Sequence, residues 1–428
     1  MYLIISCALL LWQSSSIADM TIKIQEGTRA AIPIAIIPFD LEPDDAESHQ
    51  NLEAVIRNDL IRSGRFIALA EPDMLHQPHT SNDIDFREWQ VLGQDALVIG
   101  QAIRRGKNYN VQFQLFDIPR KEQLAAYQLT TTKEGLRTTA HRIADIVYEK
   151  LTGNPGAFST RIAYITEKFN TDSASSQVQL NISDADGFNQ QTIVDSSEPL
   201  MSPAWSHDGS RIAYASFENK QQSIFVQNLR TGTRQQVAAY PGINSAPAWS
   251  PDDRNLALVL SKDGDPEIYI LNLANNALTR ITNNVAIDTE PTWSPNGRFL
   301  AFTSDRSGSP QIYQVTTTGI DLKRLTFSGD YNAAPTYSPD GKKLALVTRI
   351  NGKFKIGLLE LTNNKIQDLT SGPLDESPNF TFNGGLIVYA SKRNGHGELS
   401  SVSIDGRVPQ NFMSNEDELR EPTCSPLN

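Results

Sequence analysis

Three features of the sequence predict an N-terminal α/β domain followed by an all-β six-bladed β-propeller closed by the C-terminal strand. A motif of the form Pro-x-Trp-Ser-Pro-Asp-Gly recurs at a fixed period. Helix-like and strand-like patterns alternate ahead of it. The first copy lacks a strand that the last copy supplies. The repeat prolines are Pro203, Pro247, Pro291, Pro335, Pro378 and Pro422, so the steps are 44, 44, 44, 43 and 44 residues. A fixed period of this length marks a stacked repeat architecture.

Each unit reads as four antiparallel strands. In the third copy a short apolar strand at 291–294 runs into Pro295-Asn-Gly297, residues that supply a turn and a positive backbone dihedral. A second, mostly apolar strand follows at 299–304, suited to burial between neighbouring sheets. A third at 311–315 and a fourth at 323–326 complete the unit. A lone blade cannot bury both faces, so the units must close into a ring. The second strands begin near residues 161, 211, 255, 299, 343 and 386, which makes six blades. Arg161-Ile-Ala-Tyr164 repeats Arg211-Ile-Ala-Tyr214 with no Pro-x-Trp-Ser before it, and that strand lies at Pro422–Ser425. Blade one therefore takes three strands from around residues 160–195 and one from the C-terminus.

Ahead of the ring, the apolar run Ile32–Phe39 suits a strand covered on both faces. Acidic turn residues follow at 42–45, then Leu52, Val55, Ile56 and Leu60 at helical spacing. A short strand at 66–69, a brief helix at 85–92, a hairpin at 95–104 and 109–117, and a strand at 124–131 come next. Leu136, Ala140, Ile143, Ala144, Val147 and Leu151 form the stripe of a closing amphipathic helix stopped by Gly153. The α/β domain spans 28–152, a linker 153–160 and the propeller 161–428. Residues 1–18 read as a secretory signal peptide. Its apolar run, residues 3–12, is too short to span a bilayer, and Ser16-Ile-Ala18 after it suits a cleavage site, although no basic residue precedes the run. Residues 19–27, with Thr21, Ile22, Lys23 and Ile24, form an N-terminal arm.

A net charge of −11 argues against a nucleic-acid partner, and no basic amphipathic segment offers a membrane site, so no direct membrane insertion is expected. There is no Gly-x-Ser-x-Gly elbow and no phosphate-binding Gly-rich loop. His76 and His79 flank Pro78 with no third ligand nearby and read as a surface loop. The Asp-Gly and Asn-Gly pairs lack calcium-loop spacing and are explained by turn geometry. Neither catalytic residues, nor a cofactor, nor a metal site is expected. Cys424, the lone cysteine after export, falls in the column of Trp205, Trp249, Trp293, Tyr337 and Phe380, an apolar packing position.

One set of positions invites a partner. The segments just before the repeat prolines read as loops outside the blade strands, ringing one mouth of the central channel. They carry Met201, Ile243, Asn244, Ala246, Asp288, Thr289, Glu290, Asn332, Asp375, Glu376, Arg420 and Glu421. Acidic side chains there set a negative field, with apolar contacts among them. The residue types alone are equally consistent with a solvated acidic rim.

The mature chain resembles the TolB family, the periplasmic component of the Tol-Pal system of Gram-negative bacteria. The resemblance rests on the signal peptide, the α/β domain, six repeats, the terminal Pro-x-x-Ser-Pro and the junction Leu151-Thr-Gly-Asn-Pro-Gly-Ala-Phe-Ser-Thr-Arg-Ile-Ala-Tyr164. It implies a non-enzymatic adaptor, monomeric apart from its partners, that serves outer-membrane integrity and constriction at division. The propeller would bind the lipoprotein Pal, the N-terminal region would engage TolA, and some colicins would exploit the same mouth. In the family the partner sits on the segments before the repeat prolines, matched here by 244–247, 289–291 and 375–378. The arm at 19–27 would dock in one state and be released for TolA in another. The alternative is a secreted propeller that binds a small ligand or gates a separate hydrolase.

Overall fold

The computed structural model describes residues 31–41, 51–170, 175–393, 395–407, 410–414 and 417–427. The signal peptide, the arm with Thr21, Ile22, Lys23 and Ile24, and the acidic turn at 42–45 lie outside the described residues.

The N-terminal part is a mixed sheet with helices on both faces. Its strands are β1 (Ile32–Ile36), β2 (Asp40–Leu41), β3 (Phe66–Ala68), β4 (Ala96–Arg105), β5 (Asn108–Asp117) and β6 (Glu122–Thr132). The order is β3-β1-β4-β5-β6, with β1 parallel to β3 and β4, while β4, β5 and β6 form an antiparallel meander. Helices α1 (Leu52–Arg62) and α3 (Leu136–Thr152) cover one face, with Ile34, Ile36, Ile56, Leu60, Ile143 and Val147 in that core. The short α2 (Phe86–Val91) brings Trp89 onto Ala35, Ile37, Leu97 and Ile99 on the other face. That double cover is why β1 reads as a continuous apolar run. Gly153 ends α3 in the left-handed region at φ 76°, its N–H closing on the Glu149 carbonyl.

Six four-stranded antiparallel sheets follow, and the last is completed by Glu418–Cys424 pairing with Arg161–Asn170. The second strands start at 161, 211, 255, 299, 343 and 386, as the repeat pattern predicts. In Arg211–Ser216, Asn255–Leu260 and Phe299–Ser304 every residue after the first is buried, because each strand is sandwiched between adjacent blades. The turn after each inner strand is also as expected. Ser206, Ser250, Ser294, Ser338 and Thr381 each donate a hydroxyl hydrogen bond to the Asp or Asn two residues on. Gly209, Gly297, Gly341 and Gly384 then take φ near 66–69°. Asp253 fills the same slot at φ 57°.

One expectation is corrected. The segments before the prolines are not loops. The inner strands run Leu200–Trp205, Asn244–Trp249, Asp288–Trp293, Asn332–Tyr337, Asp375–Phe380 and Glu418–Cys424, so each begins three or four residues ahead of its proline. Ladder bonding absorbs residues that the turn-like composition had assigned to connections.

Candidate functional site: one mouth of the channel

Every inner strand is bulged at the same place. The ladder register shifts between Met201 and Ala204, Ser245 and Ala248, Thr289 and Thr292, Ala333 and Thr336, Glu376 and Asn379, and Arg420 and Thr423. The residue immediately before each proline sits in the bulge with positive φ: Ser202 53°, Ala246 47°, Glu290 54°, Ala334 50°, Ser377 53° and Glu421 51°. None is glycine, so each conformation costs on the order of 1–2 kcal/mol. The surrounding ladder must hold it. Six such bulges, one per blade, ring a cavity of about 410 Å³ walled by the repeat prolines, Met201, Ala246, Glu290, Ala334, Glu376 and Glu421.

Two neighbouring pairs of bulges are tied to each other by a glutamate. Glu290 accepts from the Ala334 N–H of the next blade at 2.8 Å and from the Thr303 hydroxyl at 2.7 Å. Glu421 accepts from the Ser202 N–H of its neighbour. Burial raises the Glu421 carboxyl above its ordinary range, and the charges of Glu376 and Glu290 push the same way. Glu376 is open to the channel yet walled by neighbouring blades. That loss of water raises its carboxyl too, against the pull of Arg420 and Lys392. Arg420 is paired with Glu167 at 3.1 Å, and Lys392 with Glu418 at 2.8 Å. Three carboxylates therefore share one mouth at close enough range to feel each other. Such a site favours a segment that brings cationic groups or backbone N–H donors.

The candidate residues divide into two sets. Met201, Ala246, Glu290, Glu376 and Glu421 line the mouth. Thr289 and Arg420 are half-buried beside it, and Ile243 is exposed on the rim, as are Val285, Ile287 and Phe327 on the neighbouring connections. Asn244, Asp288, Asn332 and Asp375 do not face the channel; all four have no accessible surface. They brace the entering loops from beneath. Asn244 donates to the Tyr240 carbonyl at 2.6 Å, and Asn332 to the Ser328 carbonyl at 2.8 Å. Asp288 holds Arg306 at 2.6 Å, and Asp375 accepts from Thr370 at 2.5 Å and Ser391 at 2.7 Å. Their recurrence three residues before a proline was the available signal. A short polar side chain at a fixed strand-entry position is a bracing pattern. The sequence reading missed Ser202, Ala334 and Ser377, whose importance is in their backbone and not in their side chains.

Elsewhere, His76 and His79 are exposed, with His76 Nδ1 2.7 Å from Glu88. Burial pushes the Cys424 thiol up to about 12, in keeping with a packing role.

The family described as TolB amino-terminal domain matches residues 20–124, and the one described as TolB beta propeller domain matches 148–428. The Tol-Pal system protein TolB of Nitrosococcus oceani is 58% identical over 423 residues, covering 98% of this chain and 97% of the relative. That of Methylococcus capsulatus is 55% identical over 422 residues, covering 99% and 98%. The crystal structure of TolB from Acinetobacter baumannii superposes with a TM-score of 0.86 at 38% identity, covering 92% of this chain and 97% of that one.

Proposed function

The chain belongs to the TolB family, and on that premise we propose that this component of the Tol-Pal system is a non-enzymatic periplasmic adaptor. Its propeller mouth binds the lipoprotein Pal, and its N-terminal region engages TolA. Through these contacts it serves outer-membrane integrity and constriction at cell division. Among the described residues no helix is long and apolar enough to cross a membrane. The observation that carries the reading is the ring of six left-handed bulges around a carboxylate-lined mouth. Strained backbone held by its surroundings clusters at binding sites, and here it frames a concave opening. A partner segment seated there touches several blades at once.

Calorimetric titration of purified Pal tests this. Glu376→Lys reverses a solvent-open charge at the mouth and should weaken binding about tenfold or more, as loss of a close charge pair does. Ala246→Trp fills the opening and should abolish binding. Its melting curve is needed beside it, because Ala246 packs against the core between the third and fourth blades. Asp340→Ala, in a turn at the opposite end, is the control. If Glu376→Lys and folded Ala246→Trp both bind Pal like the unmodified protein, the mouth is not the Pal site.

A further inference from the structure

The α/β domain and the propeller meet at a buried cluster of ionisable groups that the channel mouth does not use. Helix α1 contributes Asp59 and Arg62, α3 contributes Arg137 and His141, and the hairpin at 184–189 in the first blade contributes Asp184 and Asp186. His141 is 2% exposed and Asp59 1%. Arg62 spans the junction, pairing with Asp59 at 3.0 Å and donating to the Ala185 carbonyl at 2.6 Å. Arg137 spans it too, bonded to Asp186, 3.8 Å from Asp184 and stacked 4.0 Å over Phe188. Asp145, one turn further along α3, is occupied by the Phe158 and Ser159 backbone N–H groups.

Two arguments fix the state of His141. The first is charge: the imidazole lies between two carboxylates, Asp59 at 2.5 Å and Asp186 at 3.8 Å, while Arg62 and Arg137 are shared among Asp59, Asp184 and Asp186 and Arg161 also faces Asp184. Two carboxylates against one ring favour its charged form. The second is geometry. His141 Nδ1 lies 2.5 Å from Asp59 Oδ2, and an ionised carboxylate only accepts, so Nδ1 carries hydrogen. In the neutral ring Nε2 would turn a lone pair toward Asp186 Oδ2, 3.8 Å away. Only the imidazolium directs an N–H to it.

We infer that protonated His141 is a latch that holds the α/β domain against the propeller, and that loss of this proton loosens the junction. A metal ion fits the cluster less well, because Arg137 already holds Asp186 Oδ2, the oxygen nearest His141 Nε2, and His141 itself holds Asp59 Oδ2. Burial and Arg137 favour the neutral ring. The hydrogen bond and charge of Asp59, with the charge of Asp186, outweigh them and raise the imidazole above its ordinary 6.5. A raised folded pKa gives a contribution that is complete below that ordinary value and lost as pH climbs through the folded one. The junction is therefore tight below about pH 6.5 and slackens as pH climbs through the raised value.

Titration of the full chain by histidine side-chain NMR, with hydrogen exchange at residues 184–189 corrected for intrinsic rates, tests the latch. His141 should titrate above 6.5, and hairpin protection should fall through the same midpoint. Each unit of elevation corresponds to about a tenfold change in the docking equilibrium. H141Q should abolish the pH dependence. D186N, on the half-buried hairpin, should lower the His141 midpoint and serves if H141Q does not fold. A midpoint at or below 6.5, or protection that is flat across it, overturns the inference. So does stoichiometric zinc uptake that shifts the His141 resonances, which would make the cluster a metal site.

Discussion

The channel has two mouths built from the two ends of the same six inner strands, and they are opposites. At the end toward the α/β domain, a cavity of about 390 Å³ is lined by Trp205, Trp249, Trp293, Tyr337 and Phe380. There the side chains repeat and do the same work in successive blades: Trp205, Trp249 and Trp293 donate through Nε1 to Thr423, Ala204 and Ala248 carbonyls of the preceding blade at 3.0–3.1 Å. At the other end the backbone repeats, with φ between 47° and 54°, while the side chains vary through Ser, Ala, Glu, Ala, Ser and Glu. Large aromatic side chains from five blades on one rim hold the ring together. Uniform backbone under varied side chains on the other gives a fixed frame that carries non-equivalent chemistry.

Three changes probe that contrast, in falling order of effect. Deleting residues 421–428 damages both rims at once: it removes the Glu421 bulge, the Thr423 acceptor of Trp205 and most of the closing strand. The loss of stability should exceed the ~4–5 kcal/mol that marks an exceptional single substitution. An unchanged melting curve would mean that the ring closes another way. Trp249→Ala strikes the turn-end rim alone. The side chain is 3% exposed, so denaturant unfolding should register a loss of about 3–5 kcal/mol, with Pal binding retained in the folded fraction. Glu421→Gln touches only the bulged rim. Because the Glu421 carboxyl is raised in the fold, it contributes stability at low pH that is lost as pH rises through its folded value. The amide should therefore raise the melting temperature slightly at about pH 7, with the gain gone at about pH 4. A gain that persists in acid would assign the effect to packing.

What was legible in the sequence follows the same contrast. Residues 299–304 could be placed to the residue because an apolar run after Pro-Asn-Gly has one reading, and Arg161 declared its missing partner strand by resembling Arg211. The bulges were not legible. A residue before proline is expected to be extended, and nothing in Ser202 or Ala334 announces a left-handed backbone that neighbouring strands impose. Asp288 and Asp375 look like rim charges until the loops that fold over them are known. His141 gave no local sign either. Its partner Asp59, 82 positions away, arrives only when α1 packs beside α3, and Asp186, 45 positions away, only when the two domains dock.

The closing strand also sets an order of events. The Arg161 N–H bonds to the Ser425 hydroxyl across 264 positions of chain, and Ser425 N–H returns to the Arg161 carbonyl. Blades two to six are each assembled from near neighbours and can form as the chain is delivered from its N-terminal end. Blade one cannot: its strands at 161–196 must wait with an unpaired inner edge until the last segment arrives, the slow, long-range kind of closure. During that interval the edge is a template for any other extended segment. Shielding it until residues 418–424 are available is therefore a task for whatever accompanies the nascent chain, and the length of that wait sets the protein's exposure to misassembly.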